Sequence, residues 1–453
     1  MTKINRRDFL KVAGTGAVAA GVVVACGDKK TANKITGGSI NLDGPEEMPL
    51  RKCGEDEVSL LGYGCMRWQM KKDENGKDII DQDSVNELVD YAFKHGINYF
   101  DSAPVYLQGQ SEEATAKALS RYPRDSYFIA TKLSNQRSQH PTFEDSVAMY
   151  KQSLKYYNTD HIDYYLLHNL SGYDAFKRRF LDNGVLEYLF KEKEAGHIRN
   201  LGFSFHGPQS GFDEMMKVQD EYHFDFIQIQ MNYTDWTHAD SSNTNADYMY
   251  EELDKRQVPI VIMEPLLGGS LASVPKNVTT EMKTREPKMS VASWAFRFVG
   301  SYPRVLCVLS GMTYRENLQD NLKTYLHFKP LTDEEKAFLE SMAGVIKSYP
   351  LVGCTSCQYC MPCPYGINIP DIFRYYNTMV NEGAAPQSQD QENYRKLRRD
   401  YLTKYNKAIP TLRQADHCIE CRQCEPHCPQ HIRIPQQLQR IDRYVENLKQ
   451  DKL

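Results

Sequence analysis

Residues 96–106 of the 453-residue chain read GINYFDSAPVY, and the prediction of the fold begins from this stretch. Residues 98–100 form a short predicted strand, Asp101 follows it directly, and Tyr106 comes five residues later. On both sides of this stretch, from Val58 to about Asn321, short apolar strands alternate with amphipathic helices. This alternation predicts an α/β protein in which parallel strands are joined by crossover helices.

The number of predicted strands is that of a (β/α)8 TIM barrel, which needs about 250 residues. Helices are predicted between the strands, for example at 84–94, 143–156 and 291–299. The chain is long enough for such a barrel and one smaller domain. The eight predicted strands are 58–63, 98–100, 127–130, 162–167, 200–203, 226–229, 259–263 and 305–309.

Polar residues follow most of these strands. In a (β/α)8 barrel the chemistry takes place at the carboxyl ends of the strands. Acidic and basic side chains buried near one mouth would each need a partner, which indicates a site rather than ordinary loop polarity. The residues at the strand ends are Asp101, Lys132, His168, Ser204, Gln230, Glu264 and Ser310.

The order of these residues resembles the aldo/keto reductase family, in which an Asp precedes the catalytic Tyr by five positions. GQSEE at 109–113 extends the likeness, and IATK at 129–132 and YLLH at 165–168 resemble the strands that supply the family's Lys and His. The resemblance implies Asp101, Tyr106, Lys132 and His168 as catalytic residues. It continues through GHIRNLGFS at 196–204, QMNY at 230–233, EPLLGG at 264–269 and SG at 310–311.

These residue types suit carbonyl reduction, which requires a hydride at carbon and a proton at oxygen. A phenol with a pKa near 10 is a poor acid until a neighbouring cation stabilises its anion. Lys132 would supply that cation, and Asp101 would hold Lys132 charged and oriented. His168 would donate to the carbonyl oxygen in the manner of an oxyanion hole, which leaves Tyr106 as the general acid/base.

The resemblance also implies a nicotinamide cofactor, NADP or NAD. It places Ser204 and Gln230 near the carboxamide, Tyr233 under the ring and the segment 266–271 near the pyrophosphate, where glycines allow close approach. Two departures from the family leave the choice of cofactor open, since Phe205 and Asn317 replace its usual residues. The predicted cofactor-binding residues are Cys65, Met66, Ser204, Gln230, Tyr233, Leu266, Gly268, Ser310 and Asn321.

Eight of the 12 cysteines lie after residue 350, in two motifs that each end in Cys-Pro. Three thiolates separated by two residues each can wrap one [4Fe-4S] cubane, and a fourth Cys before Pro commonly ligates the other cluster. We therefore predict two [4Fe-4S] clusters in a small, mainly α-helical, ferredoxin-like domain. The predicted ligand sets are Cys354, Cys357, Cys360 with Cys428, and Cys418, Cys421, Cys424 with Cys363.

Other uses of these cysteines stay open at this stage. Disulfides suit an exported protein, and zinc can be held by four thiolates at each site. The first motif also has two residues before its last Cys where ferredoxins usually have three, which weakens the expected exchange of ligands between the motifs. Crowded Cys-x2-Cys-x2-Cys spacing nevertheless favours an inorganic centre over disulfides.

The N-terminus resembles an export signal. Arg6 and Arg7 precede a mild apolar run at 12–24, which is too short to span a bilayer and follows the pattern of a twin-arginine signal. VVAC at 23–26 resembles a lipobox, with Cys26 as the acylated residue, although an ordinary signal with a chance Cys is the alternative. These features predict export by the twin-arginine translocase and a lipid anchor in the membrane, on the periplasmic or extracytoplasmic side.

The sequence thus predicts four segments: a signal at 1–26, a flexible tether at 27–50, an aldo/keto reductase barrel at 51–345 and a cluster domain at 346–453. The net charge of −4 argues against nucleic acid as a partner. The expected activity is reduction of a small carbonyl or oxidation of the alcohol, with clusters that relay electrons to a redox protein partner. The rival interpretations are an electron-transfer protein with a non-catalytic barrel, and purely structural clusters.

Overall fold

The computed structural model describes residues 47–136, 138, 140–240 and 242–453. The predicted signal at 1–26 and residues 27–46 of the predicted tether lie outside the described residues. The last part of that tether belongs to the folded protein, because Met48 is buried against the barrel and a strand begins at Leu50.

A hairpin of strands β1 (Leu50–Cys53) and β2 (Asp56–Ser59) precedes the barrel. The predicted strand 58–63 was therefore wrong as one element, because it divides between β2 and the first barrel strand. The chain bends at Leu60. The neighbouring Ser59 donates from its hydroxyl to Leu61 O at 2.7 Å and from its N–H to Asn98 Oδ1 at 2.8 Å. Arg51 fixes the hairpin to the bottom of the barrel by donating to the carbonyls of Gly300, Tyr302, Pro303 and Val305.

Eight parallel strands form a closed barrel, as the sequence predicts. Each strand pairs with the next barrel strand along the chain, and the last pairs with the first. A small hairpin of β4 (Met70–Lys72) and β5 (Asp78–Ile80) follows the first barrel strand. The barrel strands are β3 (Leu61–Gly64), β6 (Tyr99–Asp101), β7 (Phe128–Leu133), β8 (Ile162–Leu170), β9 (Ile198–Phe205), β10 (Phe226–Gln230), β11 (Ile260–Met263) and β12 (Val305–Ser310).

Helices surround the barrel and bury their apolar faces against it. Thr142 caps one of them by accepting from Asp145 N, and Thr332 forms a capping box with Glu335 on another, as expected for helix starts. The helices are α1 (Gln82–Lys94), α2 (Ser111–Leu119), α3 (Phe143–Tyr157), α4 (Tyr173–Phe176), α5 (Val185–Glu194), α6 (Gln209–Tyr222), α7 (Ala246–Lys255), α8 (Lys276–Arg285), α9 (Val291–Gly300), α10 (Arg315–Tyr325) and α11 (Asp333–Lys347).

The C-terminal part has its own apolar core and three longer helices, α12 (Ile369–Asn381), α13 (Tyr394–Ala408) and α14 (Ile434–Gln450). It lies over the carboxyl ends of the barrel strands. Gln430 Nε2 donates to Gln230 Oε1 at 2.9 Å, and Arg67 donates to Thr355 O at 2.6 Å. Within the described ranges, no helix has the length and apolarity that a membrane crossing requires.

Candidate active site and cluster motifs

Lys132 and Asp101 form a buried ion pair at the mouth of the barrel. The Lys132 ammonium donates to both carboxylate oxygens of Asp101, at 2.7 and 2.6 Å, and to Ser102 O at 2.8 Å. Burial raises the pKa of Asp101, and the charge of Lys132 opposes that shift. Since β6 ends at Asp101 and Lys132 lies near the end of the neighbouring β7, parallel pairing of the two strands brings the pair together.

Tyr106 lies beside this pair, in the short helical turn Tyr106–Gly109. Its ring centroid is 5.1 Å from Lys132 Nζ and 5.9 Å from the ring of His168, which it meets edge to face. Burial first, and then Tyr359 and Asp101, raise the pKa of Tyr106 well above its ordinary value. The pKa of the resting phenol is therefore raised and not lowered as expected, because burial dominates and the Lys132 ammonium is directed at Asp101 and Ser102.

His168 lies opposite Tyr106 as a neutral imidazole. Burial, followed by the charges of Lys132 and Arg179, lowers the pKa of His168 well below its ordinary value. Ser134 Oγ lies 2.6 Å from its Nδ1 atom and fixes the orientation of the ring. The buried Arg179 donates to His168 O at 2.6 Å and to Asn169 O at 2.8 Å. Sequence reasoning missed Arg179, because no motif marks its position after β8.

A cavity opens in front of these residues and includes Tyr106 and His168 in its wall. Five of the nine predicted cofactor residues also line it: Met66, Ser204, Leu266, Gly268 and Ser310. Asn321 supports the wall from behind, since its Nδ2 atom donates to Ser310 Oγ at 2.8 Å. Cys65 lies deeper, with its thiol 3.6 Å from Tyr63 O and no exposed surface.

Gln230 and Tyr233 do not line the cavity, contrary to the predicted cofactor contacts. Gln230 donates to Asp235 Oδ2 at 2.7 Å and bonds to Gln430 of the C-terminal part. Tyr233 is buried on the far side, where its ring packs against Phe298 with centroids 6.4 Å apart. Neither residue is available as carboxamide partner or stacking platform in this arrangement.

Gln228, two residues earlier on β10, takes the place in the cavity wall expected of Gln230. Its Nε2 atom lies 3.4 Å from Met263 Sδ, and its Oε1 atom is buried without a hydrogen-bond partner among the described residues. An unpaired buried acceptor is costly unless a ligand or water satisfies it. The polar side chains of Gln228, Ser204 and Ser310 therefore fit the carboxamide group of a nicotinamide.

The loop at 266–271, which was predicted to approach the pyrophosphate, packs against the first cysteine motif of the C-terminal part. A Cβ atom on Gly268 would lie 2.2 Å from Thr355 Cα and 2.4 Å from Thr355 O. Gly269 has no atom within 4 Å of the same position. The backbone of the first cysteine motif thus fills the open side of Gly268, which only a glycine permits.

The cysteines of the two predicted ligand groups influence one another's pKa. Burial first, and then charge repulsion that includes Cys428, raises the pKa of Cys354 to about 11 and that of Cys357 to about 12. Cys428 also acts on Cys360. In the second group burial raises the pKa of Cys418, and Cys363 and Cys421 contribute. Cys424 of the second motif also acts on Cys360. The ligand sets, in which each group combines three cysteines of one motif with the last cysteine of the other, stay a prediction.

These two groups fit iron-sulfur cubanes better than single ions. The described cysteines are free thiols, and no three described His, Cys, Asp or Glu side chains converge as ligands of one metal ion. The four thiolates of a cubane bind four different irons and therefore lie further apart than the ligands of one zinc ion. Burial disfavours an isolated thiolate, whereas a positively charged iron-sulfide core stabilises it.

The first cysteine group lies at the catalytic cavity. Cys357 lines that cavity together with Tyr106 and His168. Glu264, which follows β11, acts electrostatically on Tyr106 and on Cys357. The arrangement brings Cys357 of the iron-sulfur domain and the Tyr106 phenol to the same cavity.

Comparison with known proteins agrees with this architecture. A model of the aldo/keto reductase family matches residues 60–343. The chain belongs to this family. A model described as a 4Fe-4S dicluster domain matches residues 353–434. The protein is therefore an aldo/keto reductase-type oxidoreductase with a ferredoxin-like iron-sulfur domain.

Individual relatives match the barrel part of this aldo/keto reductase. The uncharacterized oxidoreductase YqkF of Bacillus subtilis is 24% identical over 324 residues, which are 65% of this chain and 96% of the relative. D-arabinose 1-dehydrogenase of Saccharomyces cerevisiae is 32% identical over 130 residues, which are 26% of this chain and 36% of the relative.

Two solved structures show the same fold. An aldo-keto reductase from Bacillus halodurans, in its holo form, superimposes with a TM-score of 0.51 at 22% identity, covering 65% of this chain and 96% of its own. An aldo-keto reductase from Klebsiella pneumoniae in complex with NADPH gives a TM-score of 0.52 at 19% identity, covering 66% and 95%. NADP(H) is the cofactor type that the family implies.

Proposed function

We propose that this protein reduces a small carbonyl compound, or oxidises the corresponding alcohol, and that iron-sulfur clusters exchange electrons at its active site. The observation that carries the proposal is the shared cavity wall, in which Cys357 accompanies Tyr106 and His168. A barrel with only a docking function would not need a buried Lys132–Asp101 pair behind a cavity-lining phenol.

The chain's own residues supply the proton chemistry. The substrate carbonyl oxygen lies between the Tyr106 hydroxyl and the His168 imidazole, which both donate hydrogen bonds to it. Tyr106 gives its proton to that oxygen during reduction and recovers it during alcohol oxidation. The Lys132 ammonium, held by Asp101, stabilises the phenolate that remains. His168 is suited to its part because its neutral ring donates a hydrogen bond without competing for the proton.

Two kinds of redox group complete the proposal. A nicotinamide, NADP or NAD, would be held by Ser204, Gln228 and Ser310, and when bound it supplies a hydride to the carbonyl carbon. Two [4Fe-4S] clusters would be held by the two cysteine groups, and when bound they supply single electrons. A redox protein partner would exchange those electrons at the surface of the C-terminal domain.

We also infer an exported location from the sequence. Arg6 and Arg7 suit the twin-arginine translocase, which accepts folded proteins, and Cys26 suits lipid attachment. Replacing both arginines with Lys should retain the protein in the cytoplasm. Cys26→Ala should release exported protein from the membrane fraction. Normal export of the double Lys variant would remove the twin-arginine assignment.

Redox titration with an absorption readout distinguishes the proposed role of the clusters from a structural one. Under anaerobic conditions, clusters that take part should become oxidised when the carbonyl substrate is added to reduced protein. Clusters that never change state across the biological range would be structural. Clusters that cycle with a partner while Tyr106→Phe has no effect would favour the electron-transfer protein with a non-catalytic barrel.

A further inference from the structure

A second cavity adjoins the catalytic one, between the barrel mouth and the cluster segment 426–431. The two cavities share the lining residues Asn169, His206, Tyr359 and Pro429. A substrate whose carbonyl group lies between Tyr106 and His168 would therefore extend into this second cavity. We call it the interdomain subsite, since the barrel and the cluster domain both contribute to its wall.

The wall of the interdomain subsite is rich in uncharged hydrogen-bonding groups. No Asp, Glu, Lys or Arg occurs among the described residues that line it. Its polar residues are Gln136, Asn169, Ser171, His206, Tyr359, His427 and His431. Amide, hydroxyl and imidazole groups can each donate or accept, which suits ligand hydroxyl groups.

Two polar atoms in this wall are buried without a partner among the described residues: Gln136 Oε1 and His206 Nδ1. An unsatisfied buried polar atom costs free energy that a bound group can recover. His206 is held in position because its backbone N–H donates to Leu170 O at 2.8 Å. Two independent unpaired atoms in one cavity indicate a site built to bind a polar molecule.

The backbone of the subsite is also held in an unusual conformation. Asn169 and His431, on opposite walls, both have positive φ angles, of 58° and 50°. Arg179 holds the backbone of Asn169 in place by donating to Asn169 O at 2.8 Å. Residues other than glycine adopt this conformation at a cost.

The charges around the subsite favour a neutral ligand. Burial, followed by the charge of His431, lowers the pKa of His206 to about 4, so its imidazole carries no positive charge at neutral pH. Cys428, a ligand of the proposed first cluster, lies in the same wall. Four thiolates around a cubane leave net negative charge, which would repel an anionic substrate.

We propose that the interdomain subsite binds the hydroxyl groups of an uncharged, hydroxyl-rich carbonyl substrate or of its alcohol, and so selects a sugar-like molecule. This inference rests on the proposed function, because it places the reacting carbonyl group in the adjacent catalytic cavity. In this proposal the barrel loops do not select the substrate alone, because residues 426–431 of the cluster domain complete the subsite.

The test compares three five-carbon probes by isothermal titration calorimetry, with anaerobically purified full-length protein that contains its clusters. Xylitol carries five hydroxyl groups, 1-pentanol carries one, and D-xylonate adds a negative charge. We expect xylitol to bind at least about tenfold more tightly than 1-pentanol and than D-xylonate, because several neutral hydrogen bonds distinguish them. Equal or tighter binding of 1-pentanol or of D-xylonate would overturn the proposal.

Two variants locate the binding in the subsite. His206→Leu and Gln136→Leu should each weaken xylitol binding by roughly 3- to 10-fold, the value of one neutral hydrogen bond. His197→Leu is the matched control, because His197 lies at the opposite end of β9 from His206 and is half exposed. Its xylitol affinity should equal that of the parent, and cluster absorption serves as the check of folding for all three variants.

The outcome for the subsite can be separated from the outcome for the proposed function. Xylitol affinity that is unchanged in both subsite variants, in a protein whose carbonyl reduction requires Tyr106, would remove only the sugar-like substrate. Selective xylitol binding in a protein whose turnover does not depend on Tyr106 would remove the proposed function and retain the binding site.

Discussion

The Nζ atom of Lys132 lies within 2.8 Å of three oxygens, two on the Asp101 carboxylate and one on the Ser102 backbone. The ammonium is fully buried and has no exposed surface. Its charge is thus balanced inside the barrel. The Nζ atom lies 5.1 Å from the centroid of the Tyr106 ring. This geometry makes the pair both a structural element of the barrel mouth and the electrostatic support of the proposed acid.

Removal of one partner of this pair should destabilise the protein strongly. Lys132→Met leaves Asp101 buried without a counter-charge, so we expect a loss of about 3–5 kcal/mol and a clearly lower melting temperature. The double variant Lys132→Met/Asp101→Asn should recover part of the loss, because it removes both charges. Lys71→Met is the control, since the Lys71–Asp81 pair is exposed and its loss should change the melting temperature little. No recovery in the double variant would contradict this account.

Tyr106→Phe should reduce the rate of carbonyl reduction by at least roughly 100-fold, the usual effect of losing a general acid. Nicotinamide binding and cluster absorption should stay near those of the parent protein. Since burial, Tyr359 and Asp101 raise the pKa of Tyr106, the phenol stays protonated at neutral pH. Reduction should therefore not slow through deprotonation of Tyr106 between about pH 6 and 9. Retained turnover in the Phe variant would remove Tyr106 from the role.

His206 should make stability depend on pH below its ordinary pKa. Because burial lowers its pKa to about 4 in the folded protein, the unfolded chain binds a proton first as pH falls below about 6.5. Stability is therefore complete above that pH and decreases below it, by up to about 1.4 kcal/mol per pH unit for this group. His206→Leu should show a smaller decrease of melting temperature between pH 6.5 and 5 than the parent. An identical slope would argue against a buried neutral His206.

Iron and acid-labile sulfide should each approach about eight per chain. Cys428→Ser should damage the cluster that it shares with Cys354, Cys357 and Cys360, and should retain about half of the iron. Cys53→Ser is the control, because Cys53 lies in the hairpin at the opposite end of the barrel. Stoichiometric zinc with little sulfide would overturn the iron-sulfur assignment.

Gly268→Ala should displace the first cysteine motif, because the new methyl group would meet the Thr355 backbone at 2.2–2.5 Å. Gly269→Ala is a matched control, since Gly269 also has a positive φ angle but open space around it. Both variants carry backbone strain, and only the first carries the clash. We expect faster loss of cluster absorption in the presence of an iron chelator for Gly268→Ala alone. Equal rates in the two variants would show that the contact is unimportant.

The features that depend on local patterns and on the order of motifs could be predicted from the sequence. Strand ends and the alternation of elements predicted the barrel, and the spacing of the cysteines predicted an iron-sulfur domain, which a 4Fe-4S dicluster model matches. Gln230 was assigned to the cofactor through the family resemblance. Its actual partner, Gln430, is 200 residues away, and a contact of that range leaves no local signal. For the same reason the sequence did not reveal that Thr355 would lie against Gly268.

The contact between Thr355 and Gly268 also has a consequence for how the protein matures. Thr355 lies between Cys354 and Cys357, so the backbone that closes the barrel mouth is the backbone that must wrap around iron and sulfide. We therefore expect insertion of the metal and closure of the active site to be coupled, because both require the same segment of backbone. A chain that has not received its iron should hold Thr355 less firmly against Gly268, and its active site should be more accessible to water.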